Sequence, residues 1–291
     1  MMRYEGTVYR PPSEAGSLII QFTIGCARNT CTFCNMYKDK KFRIRPLAEV
    51  AEDLEMARKY YNRVQVRRIF LADGDALIVK TDDLLYIIDK CHEYFPEVER
   101  ISIYGAPKDI LNKTPEDLRR LKAAGLDMVY MGLESGSDEV LKDVKKGVTS
   151  AEMIEAGKKV KAAGMVLSMT VISGLGGKKY WKEHALGSAR VISAIQPDFV
   201  GFLTLMVEPG TEMYDQVGRG EIDLLNPHEV LDETELFIRN VDAQGTVFRS
   251  NHASNYTALA GTLNGDKEKI LAQIETSRRR SSFRPDSFRG I

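Results

Sequence analysis

Apolar runs alternate with segments of helical periodicity along most of the chain. The runs predict buried strands at residues 18–24, 66–72, 98–104, 127–133, 165–172 and 198–205. Apolar residues three and four positions apart predict helices at 47–61, 81–95, 115–124, 138–146, 151–163, 179–194 and 227–240, with a short one after 211. Six strands alternating with helices indicate an α/β fold with a parallel sheet. The pattern fits an open doubly wound sheet and a partial barrel equally well.

The alternation divides the chain into three predicted parts. Residues 1–16 are polar, contain Pro11-Pro12, and form an irregular lead-in. Residues 17–240 carry all six strand–helix repeats. Residues 241–291 do not continue the alternation, apart from a short predicted strand at 246–249, and are expected to form a small C-terminal cap on the substrate side.

Unusual residues occur where the predicted strands end. Three cysteines follow the first strand, Asp73-Gly74-Asp75 follows the second, Glu134-Ser135-Gly136 follows the fourth, and a glycine run around Gly174 follows the fifth. In α/β folds of this kind, the loops at the carboxyl ends of the strands form the active site. We therefore expect these motifs to contribute to one shared site.

Bulk composition excludes several classes of protein. The 291 residues are 43% hydrophobic and 28% charged, which is ordinary for a globular protein. Basic and acidic residues balance at 41 each, so no global field attracts a nucleic acid, and nucleic acid is not expected as a partner. No apolar run approaches the roughly 20 residues that a membrane span needs, and no signal-peptide core opens the chain. Few cysteines, most of them clustered, indicate a reducing cytoplasm.

Three of the four cysteines, Cys26, Cys31 and Cys34, fall within nine residues. Three thiolates on one loop can bind a single metal centre, and an odd number of them cannot all pair as disulfides. A structural zinc site would need a fourth ligand, which no nearby His or Cys supplies, although a closed metal site stays open as an alternative. An iron–sulfur cluster with one iron free for another ligand needs only three. Cys91 lies on the apolar side of a predicted helix and is expected to be a buried hydrophobe.

The loop resembles the cluster-binding loop of the radical S-adenosylmethionine (SAM) superfamily, in particular the branch of coproporphyrinogen dehydrogenases and methylthiotransferases. That family has the spacing CxxxCxΦC, whereas this chain has CxxxxCxFC, with Phe33 before the last cysteine and one extra residue in the first half. The resemblance implies a partial (β/α)6 TIM-like barrel. It also implies a [4Fe-4S] cluster on the three cysteines, SAM on the fourth iron, and an electron donor such as flavodoxin or ferredoxin.

The resemblance also assigns cofactor-binding residues at the strand ends. Phe33, Gly74 and Asp75 would lie beside the cluster and the amino group of SAM, although turn chemistry alone also explains the Asp-Gly-Asp segment. Glu134 would contact SAM; the alternative is a residue that favours the following helix N-terminus. Ser173 and Gly174 would lie beside the adenine. Here the match is partial, since Thr170 and Gly177 replace the family's Gly and Glu, and a plain strand-to-helix turn is the alternative.

The segment Ser250–Tyr256 is rich in polar side chains and is a candidate substrate site. Asn251, His252 and Asn255 would contact the substrate, and His252 would act as the catalytic proton carrier, since its ordinary pKa is about 6.5. Alternatively, Ser254 or Asn255 caps the next helix and His252 is merely hydrogen-bonded.

These observations lead to two hypotheses. The first is a radical SAM enzyme with one cluster, which cleaves SAM reductively and begins hydrogen abstraction on a small-molecule substrate. The second is a non-catalytic protein of the same fold that binds zinc or carries a cluster or haem. One remaining thiol, Cys91, cannot hold a second cysteine-ligated cluster.

Overall fold

The computed structural model describes residues 3–290. Residues 1, 2 and 291, which belong to the predicted lead-in and cap, lie outside the described residues. The chain forms two compact units. Unit 1 consists of Met1–Asn29, Met36–Met131 and Lys159–Leu167, and unit 2 consists of Thr30–Asn35, Gly132–Lys158 and Ser168–Ile291. The predicted domain boundaries at 16 and 240 stay predictions.

Elements are numbered in chain order. The strands are β1 (Leu18–Gln21), β2 (Thr23–Ile24), β3 (Arg43–Ile44), β4 (Arg68–Ala72), β5 (Arg100–Tyr104), β6 (Leu126–Glu134), β7 (Val166–Ser173), β8 (Phe199–Thr204), β9 (Val247–Ser250) and β10 (Leu259–Thr262). The helices are α1 (Leu47–Tyr60), α2 (Thr81–Tyr94), α3 (Pro107–Asn112), α4 (Pro115–Ala123), α5 (Asp138–Asp143), α6 (Ser150–Ala162), α7 (Gly177–Ile195), α8 (Glu212–Gly218), α9 (Pro227–Asn240) and α10 (Lys267–Arg280).

In unit 1, β1, β4, β5 and β6 are neighbours in that order, and all are parallel. Helices α1, α2 and α4 connect them; α4 begins at a capping box in which Thr114 and Asp117 satisfy each other's backbone N–H groups. Phe70 packs edge to face on Tyr104 and Tyr130 at centroid distances of 4.9 and 5.8 Å. The carboxyl end of β4 leads directly into Asp73.

In unit 2, β7, β8 and β9 are parallel neighbours, and β10 pairs with β9 in the antiparallel direction. Every second residue of β7 is buried, as the period of two in a strand with one core face requires. Helices α7 and α9 pack against each other, and α9 begins at a capping box formed by Asn226 and Glu229. The ends of β7 and β8 are Ser173 and Thr204.

The α/β prediction with parallel strands is confirmed, and so are the positions of the six predicted strands within a few residues. Several details differ from the prediction. The first strand is interrupted at Phe22, because Thr23–Ile24 pairs with β3 instead of β4. Helix α3 and strand β10 were not predicted. The strand–helix alternation continues past 240, since β9 extends the parallel strands of unit 2.

The helix predicted after Asn255 begins only at Lys267, with Asp266 as its N-terminal flanking residue. Neither Ser254 nor Asn255 therefore caps a helix. Among the helices of residues 3–290, none has both the length and the apolar content that crossing a bilayer requires.

Candidate functional site

The first part of the cysteine loop, residues 25–29, lies in unit 1. Gly25 has a φ of +74°, and its N–H donates to Asp73 Oδ2 at 3.2 Å. Asn29 also has a positive φ, +39°, and its Nδ2 donates to Tyr37 O at 2.7 Å. Asparagine tolerates the left-handed region better than most residues do. The turn at Asn29 thus lies in the half of the loop that has one residue more than the CxxxCxΦC spacing.

Cys31 and Cys34 belong to unit 2, where the main chain between them is anchored. The N–H of Thr32 donates to Val144 O at 3.0 Å, and its carbonyl accepts the N–H of Met213 at 2.9 Å. Phe33 packs against a buried apolar cluster of unit 2, which consists of Val140, Val144, Leu175 and Met213. Backbone hydrogen bonds and an aromatic contact therefore fix the segment that carries these two cysteines.

Gly74 is in close contact with Cys26 in unit 1. A Cβ atom at Gly74 would lie 2.7 Å from Tyr37 Cε2 and 3.0 Å from Cys26 Cβ. Any other residue would collide with both neighbours, so only glycine lets the backbone after β4 approach the first cysteine this closely.

Asp73 is a buried carboxylate that supports this approach. Its Oδ2 accepts from Lys40 Nζ at 2.8 Å and from Gln21 Nε2 at 3.3 Å, besides the N–H of Gly25. The side chains of Asp73 and Lys40 are 0% and 5% exposed, so this is a buried ion pair. Asp73 thereby fixes the residue directly before Cys26.

Asp75, the other flank of the motif, is also buried. Its Oδ1 accepts the N–H of Ala106 at 3.0 Å. Burial, and next the neighbouring carboxyl group of Asp109, raise the pKa of Asp75 well above its usual range. Asp109 is itself paired with Arg28 Nη2 at 3.1 Å. Burial and the neighbouring carboxyl group therefore disfavour the ionised form of Asp75.

Glu134, at the end of β6, has a left-handed backbone conformation with a φ of +61°. Its Oε1 forms an ion pair with Lys146 Nζ at 3.0 Å. A Cβ atom at Gly132 would lie 2.0 Å from the same oxygen, so the carboxylate folds back over Gly132 and a larger residue there would displace it. Glu134, which is predicted to contact SAM, is therefore held in place by Lys146, a cation of the same unit.

Ser173 and Gly174, at the end of β7, line a cavity of about 280 Å³ in unit 2. Leu205 and Val230 form part of its apolar lining, and Tyr256, Asp286 and Arg289 contribute polar groups. The guanidinium group of Arg289 lies 4.0 Å from the Tyr256 ring centroid and donates to Leu205 O at 2.9 Å. The cavity is large enough for a molecule of metabolite size.

The three predicted substrate residues have different surroundings in unit 2. The amide of Asn255 is buried, with Oδ1 accepting from Thr204 Oγ1 at 2.9 Å and Nδ2 donating to Phe202 O at 2.8 Å. His252 is half-buried, and its Nδ1 lies 2.9 Å from Ser254 Oγ. Burial and the nearby charge of Arg284 lower the pKa of His252, so its imidazole is neutral near pH 7. Asn251 is exposed.

Ser135, His184 and Glu233 lie together in unit 2 as buried polar residues, which the sequence did not predict. His184 Nδ1 lies 2.8 Å from Ser135 Oγ, and Glu233 Oε1 accepts the N–H of Gly174 at 2.8 Å. Burial lowers the pKa of His184 to about 4 and raises that of Glu233 to about 8. A usable signal was present, because Glu233 occupies the apolar side of α9 among Val230, Thr234 and Phe237.

The donor set suits an iron–sulfur cluster. All four cysteines lie within the described residues, and none is in a disulfide. Cys26, Cys31 and Cys34 are partly exposed, whereas Cys91 is buried and its pKa is raised by that burial, which keeps it a neutral thiol. Among residues 3–290, no three His, Cys, Asp or Glu side chains lie close enough together to form a metal-binding group, so the fit to a cluster rests on the chemistry of the three thiols.

Comparison with known proteins gives a family match. The model of the radical SAM superfamily matches residues 20–186, which include the cysteine loop, Asp73–Asp75 and Glu134. Among curated relatives, 4′-phospho-dehydrooxetanocin synthase of Priestia megaterium is 29% identical over 240 residues, covering 75% of this chain and 30% of that protein. The chain spans less than half the length of the curated relatives it matches.

Two solved structures are similar to this chain in fold. The methyltransferase TsrM from Kitasatospora setae, with tryptophan and a SAM analogue bound, has a TM-score of 0.58 and 20% identity, covering 75% of this chain and 43% of that one. Coproporphyrinogen III oxidase (HemN) from Escherichia coli has a TM-score of 0.55 and 17% identity, covering 94% and 71%. These similarities confirm an α/β fold that matches a partial TIM-type barrel.

Proposed function

Since the chain belongs to the radical SAM superfamily, we propose that it is an enzyme that binds one [4Fe-4S] cluster and SAM. Cys26, Cys31 and Cys34 would hold the cluster. When bound, such a cluster supplies the electron that cleaves SAM to methionine and a 5′-deoxyadenosyl radical, which then abstracts hydrogen from a substrate. The observation that carries the proposal is the three-cysteine loop within the matched residues 20–186.

The residues around Cys26 position the cluster loop in this proposal. Asp73 accepts the N–H of Gly25, and Lys40 neutralises the buried carboxylate. Gly74 leaves room for Cys26, because a larger residue would displace it. These contacts fix the loop before any ligand binds, which lowers the entropy that cluster binding must overcome.

SAM would contact the chain at the strand ends. We assign its amino group to the Gly74–Asp75 segment. The carboxylate of Glu134, oriented by Lys146 at 3.0 Å, would accept hydrogen bonds from SAM. Ser173 and Gly174 would lie beside the adenine, since they line the cavity of about 280 Å³. Phe33 would exclude water beside Cys34.

The substrate is proposed to be a small molecule held near Asn255. The buried amide of Asn255 accepts from Thr204, a residue that lines the cavity, so it would hold the cavity wall in place beside a ligand. His252 would move a proton to or from the substrate, and Asn251 would contribute a hydrogen bond. A flavodoxin or ferredoxin would serve as the electron donor in the cytoplasm.

Product analysis tests the proposal. The protein is reconstituted anaerobically with iron and sulfide, reduced with dithionite, and incubated with SAM. We expect 5′-deoxyadenosine by mass spectrometry in the wild type and only background in Cys31→Ala. A 3-amino-3-carboxypropyl product is sought in the same run, because it would indicate cleavage of a different carbon–sulfur bond.

Metal analysis of the anaerobically purified protein distinguishes the proposed enzyme from the alternative, a non-catalytic metal-binding protein. One zinc per chain and a colourless solution would support a structural metal protein and contradict the proposed enzyme. Iron with broad visible absorbance, together with SAM cleavage that Cys31→Ala abolishes, would support it.

A further inference from the structure

Two turns of unit 2 that are proposed to contact SAM are held by side chains from helices. The first turn follows β6 and contains Ser135 and Gly136, directly after Glu134. The second follows β7 and contains Gly174. Each turn receives buried hydrogen bonds from outside its own loop, and the donors and acceptors come from α7 and α9.

Helix α7 holds the first turn. His184 Nδ1 lies 2.8 Å from Ser135 Oγ, and Ser188 Oγ accepts the N–H of Gly136 at 3.0 Å. Between them, Gly187 packs so closely that a Cβ atom on Gly136 would lie 2.3 Å from its carbonyl carbon. These residues lie on one face of the helix, since positions three and four apart are neighbours. The turn after Glu134 is therefore attached to α7 by two hydrogen bonds and a direct backbone contact.

Helix α9 holds the second turn through Glu233. Its Oε1 accepts the N–H of Gly174 at 2.8 Å, and its side chain is 2% exposed. Gly174 has a φ of +82°, a backbone conformation that glycine adopts readily. In this conformation its N–H donates to Glu233. Gly177 replaces the glutamate that resemblance to the family would place after this turn. In this chain a carboxyl group from α9 contacts the turn.

The two attachments meet inside unit 2. His184 Nε2 lies 3.8 Å from Glu233 Oε1, which is contact distance but too long for a direct hydrogen bond. Both groups are uncharged near pH 7, because burial lowers the pKa of His184 to about 4 and raises that of Glu233 to about 8. Both attachments are thus uncharged, and α7 packs on α9.

A serine, an imidazole and a carboxyl group also occur together in acyl-transfer enzymes, but that chemistry does not fit here. Ser135 is 0% exposed, so no substrate carbonyl reaches its Oγ. The same Oγ accepts the N–H of Ser137 at 3.1 Å, which ties it to the backbone. The group holds structure; it does not attack a substrate.

We propose that His184 and Glu233 are positioning residues for SAM: Glu233 fixes the turn at Gly174, and His184 fixes the turn after Glu134. The inference rests on the proposed function, because SAM is the ligand that the two turns would share. Without Glu233, Gly174 N–H loses its buried acceptor and the turn opens. Without His184, Ser135 Oγ loses a hydrogen-bond partner, and the backbone directly after Glu134 is held less firmly.

Hydrogen exchange of the chain without cluster tests the attachments. In Glu233→Ala we expect amide exchange at Gly174 to accelerate roughly tenfold or more, because a buried hydrogen bond is lost. Glu233→Gln, which keeps an acceptor, should stay near the wild type. Likewise His184→Leu should accelerate exchange over residues 135–137, whereas His184→Asn, which keeps a partner for Ser135, should not. Asp232→Asn, on the exposed side of α9, is the matched control.

Kinetics of the reconstituted enzyme test the role. We expect Glu233→Ala and His184→Leu to raise KM for SAM about tenfold or more, with a smaller change in kcat, and the two conservative variants to restore KM. An unchanged KM, or acceleration of exchange throughout the chain, would overturn the inference. If Glu233→Ala does not fold, Glu233→Asp replaces it, since its shorter side chain retracts the acceptor from Gly174.

These outcomes are separable from failure of the proposed function. Exchange is measured without cluster or turnover, so a chain that never cleaves SAM can still show both attachments. Conversely, if Glu233→Ala cleaves SAM with the KM of the wild type, the proposed function stands and the positioning role of Glu233 is contradicted.

Discussion

Asp73 in unit 1 and Glu233 in unit 2 perform the same structural task in different electrostatic states. Each is a buried carboxyl group that accepts the N–H of a glycine in a predicted site loop, Gly25 at 3.2 Å and Gly174 at 2.8 Å. Asp73 has a buried cation, Lys40, at 2.8 Å. The ionisable group beside Glu233 is the imidazole of His184, at 3.8 Å, which burial keeps neutral.

The difference shows how each unit offsets the cost of burying a carboxyl group. In unit 1 a lysine compensates the charge, and in unit 2 protonation removes it. The loop before Cys26 therefore depends on an ion pair, whereas the turn at Gly174 depends on pH. Both arrangements fix backbone near residues proposed to bind the cofactors. Because one depends on Lys40 and the other on the protonation of Glu233, each can be disturbed without the other.

The largest effect is expected from removing the cation in unit 1. Lys40→Met leaves Asp73 buried without its partner, and breaking a buried ion pair in this way costs about 3–5 kcal/mol. Urea denaturation measures the loss. Lys59→Met is the matched control, since Lys59 pairs with Glu55 on the surface and its removal should leave the stability close to that of the wild type. Equal losses in both variants would contradict the comparison.

A smaller effect, with a defined pH dependence, is expected in unit 2. Glu233 has a folded-state pKa of about 8, above its ordinary value of 4.5, so the unfolded chain releases this proton first as pH rises. Its contribution to stability is therefore present below about pH 4.5 and is lost as pH rises toward 8. Glutamine has no proton to lose in this range. The free energy of unfolding of Glu233→Gln minus that of the wild type should therefore rise by a few kcal/mol between pH 5 and 8.

His184 has the opposite dependence, because its pKa is lowered to about 4. Its contribution is lost as pH falls from 6.5 toward 4, where the unfolded chain binds the proton first. Denaturation midpoints of wild type and Glu233→Gln are measured across pH 5–8. Both chains keep His184, so the difference between their midpoints at each pH reports the contribution of Glu233. A difference that does not change with pH would show that Glu233 is ionised and would remove the contrast with Asp73.

The smallest effect is expected from Gly74→Ala. The new methyl group would lie 2.7 Å from Tyr37 Cε2 and 3.0 Å from Cys26 Cβ, and overpacking of this kind costs about 1–3 kcal/mol. Gly16→Ala, where a Cβ atom would have no neighbour within 4 Å, is the control in the same unit. Cluster incorporation, measured as iron per chain, should fall in Gly74→Ala alone.

The parts of the fold that follow from periodicity were predictable, and those that depend on pairing were not. Strands β4 to β8 lie where apolar runs placed them. The run at 18–24 contained no signal for the change of partner at Phe22, which depends on the distant segment Arg43–Ile44. Strand β10 contains Gly261, whose missing side chain makes room for Ile270, so its sequence does not have the composition of a strand.

The candidate site divides in the same way. The cysteines, Gly74 and Glu134 could be chosen as candidates because motif and strand end coincide in the sequence, and their roles stay predictions. Lys40, His184 and Glu233 were missed because each comes from a different part of the chain and contacts its partner only after folding. The roles of Asn251, His252 and Asn255 stay predictions.

Electron paramagnetic resonance of the reduced, anaerobically reconstituted protein tests the central proposal most directly. With about four irons per chain, adding SAM should change the g-values of the cluster signal, because SAM would bind the iron that the three cysteines leave free. Cys31→Ala should give no such signal. A full complement of iron whose spectrum is identical with and without SAM would contradict the proposal that SAM binds this cluster.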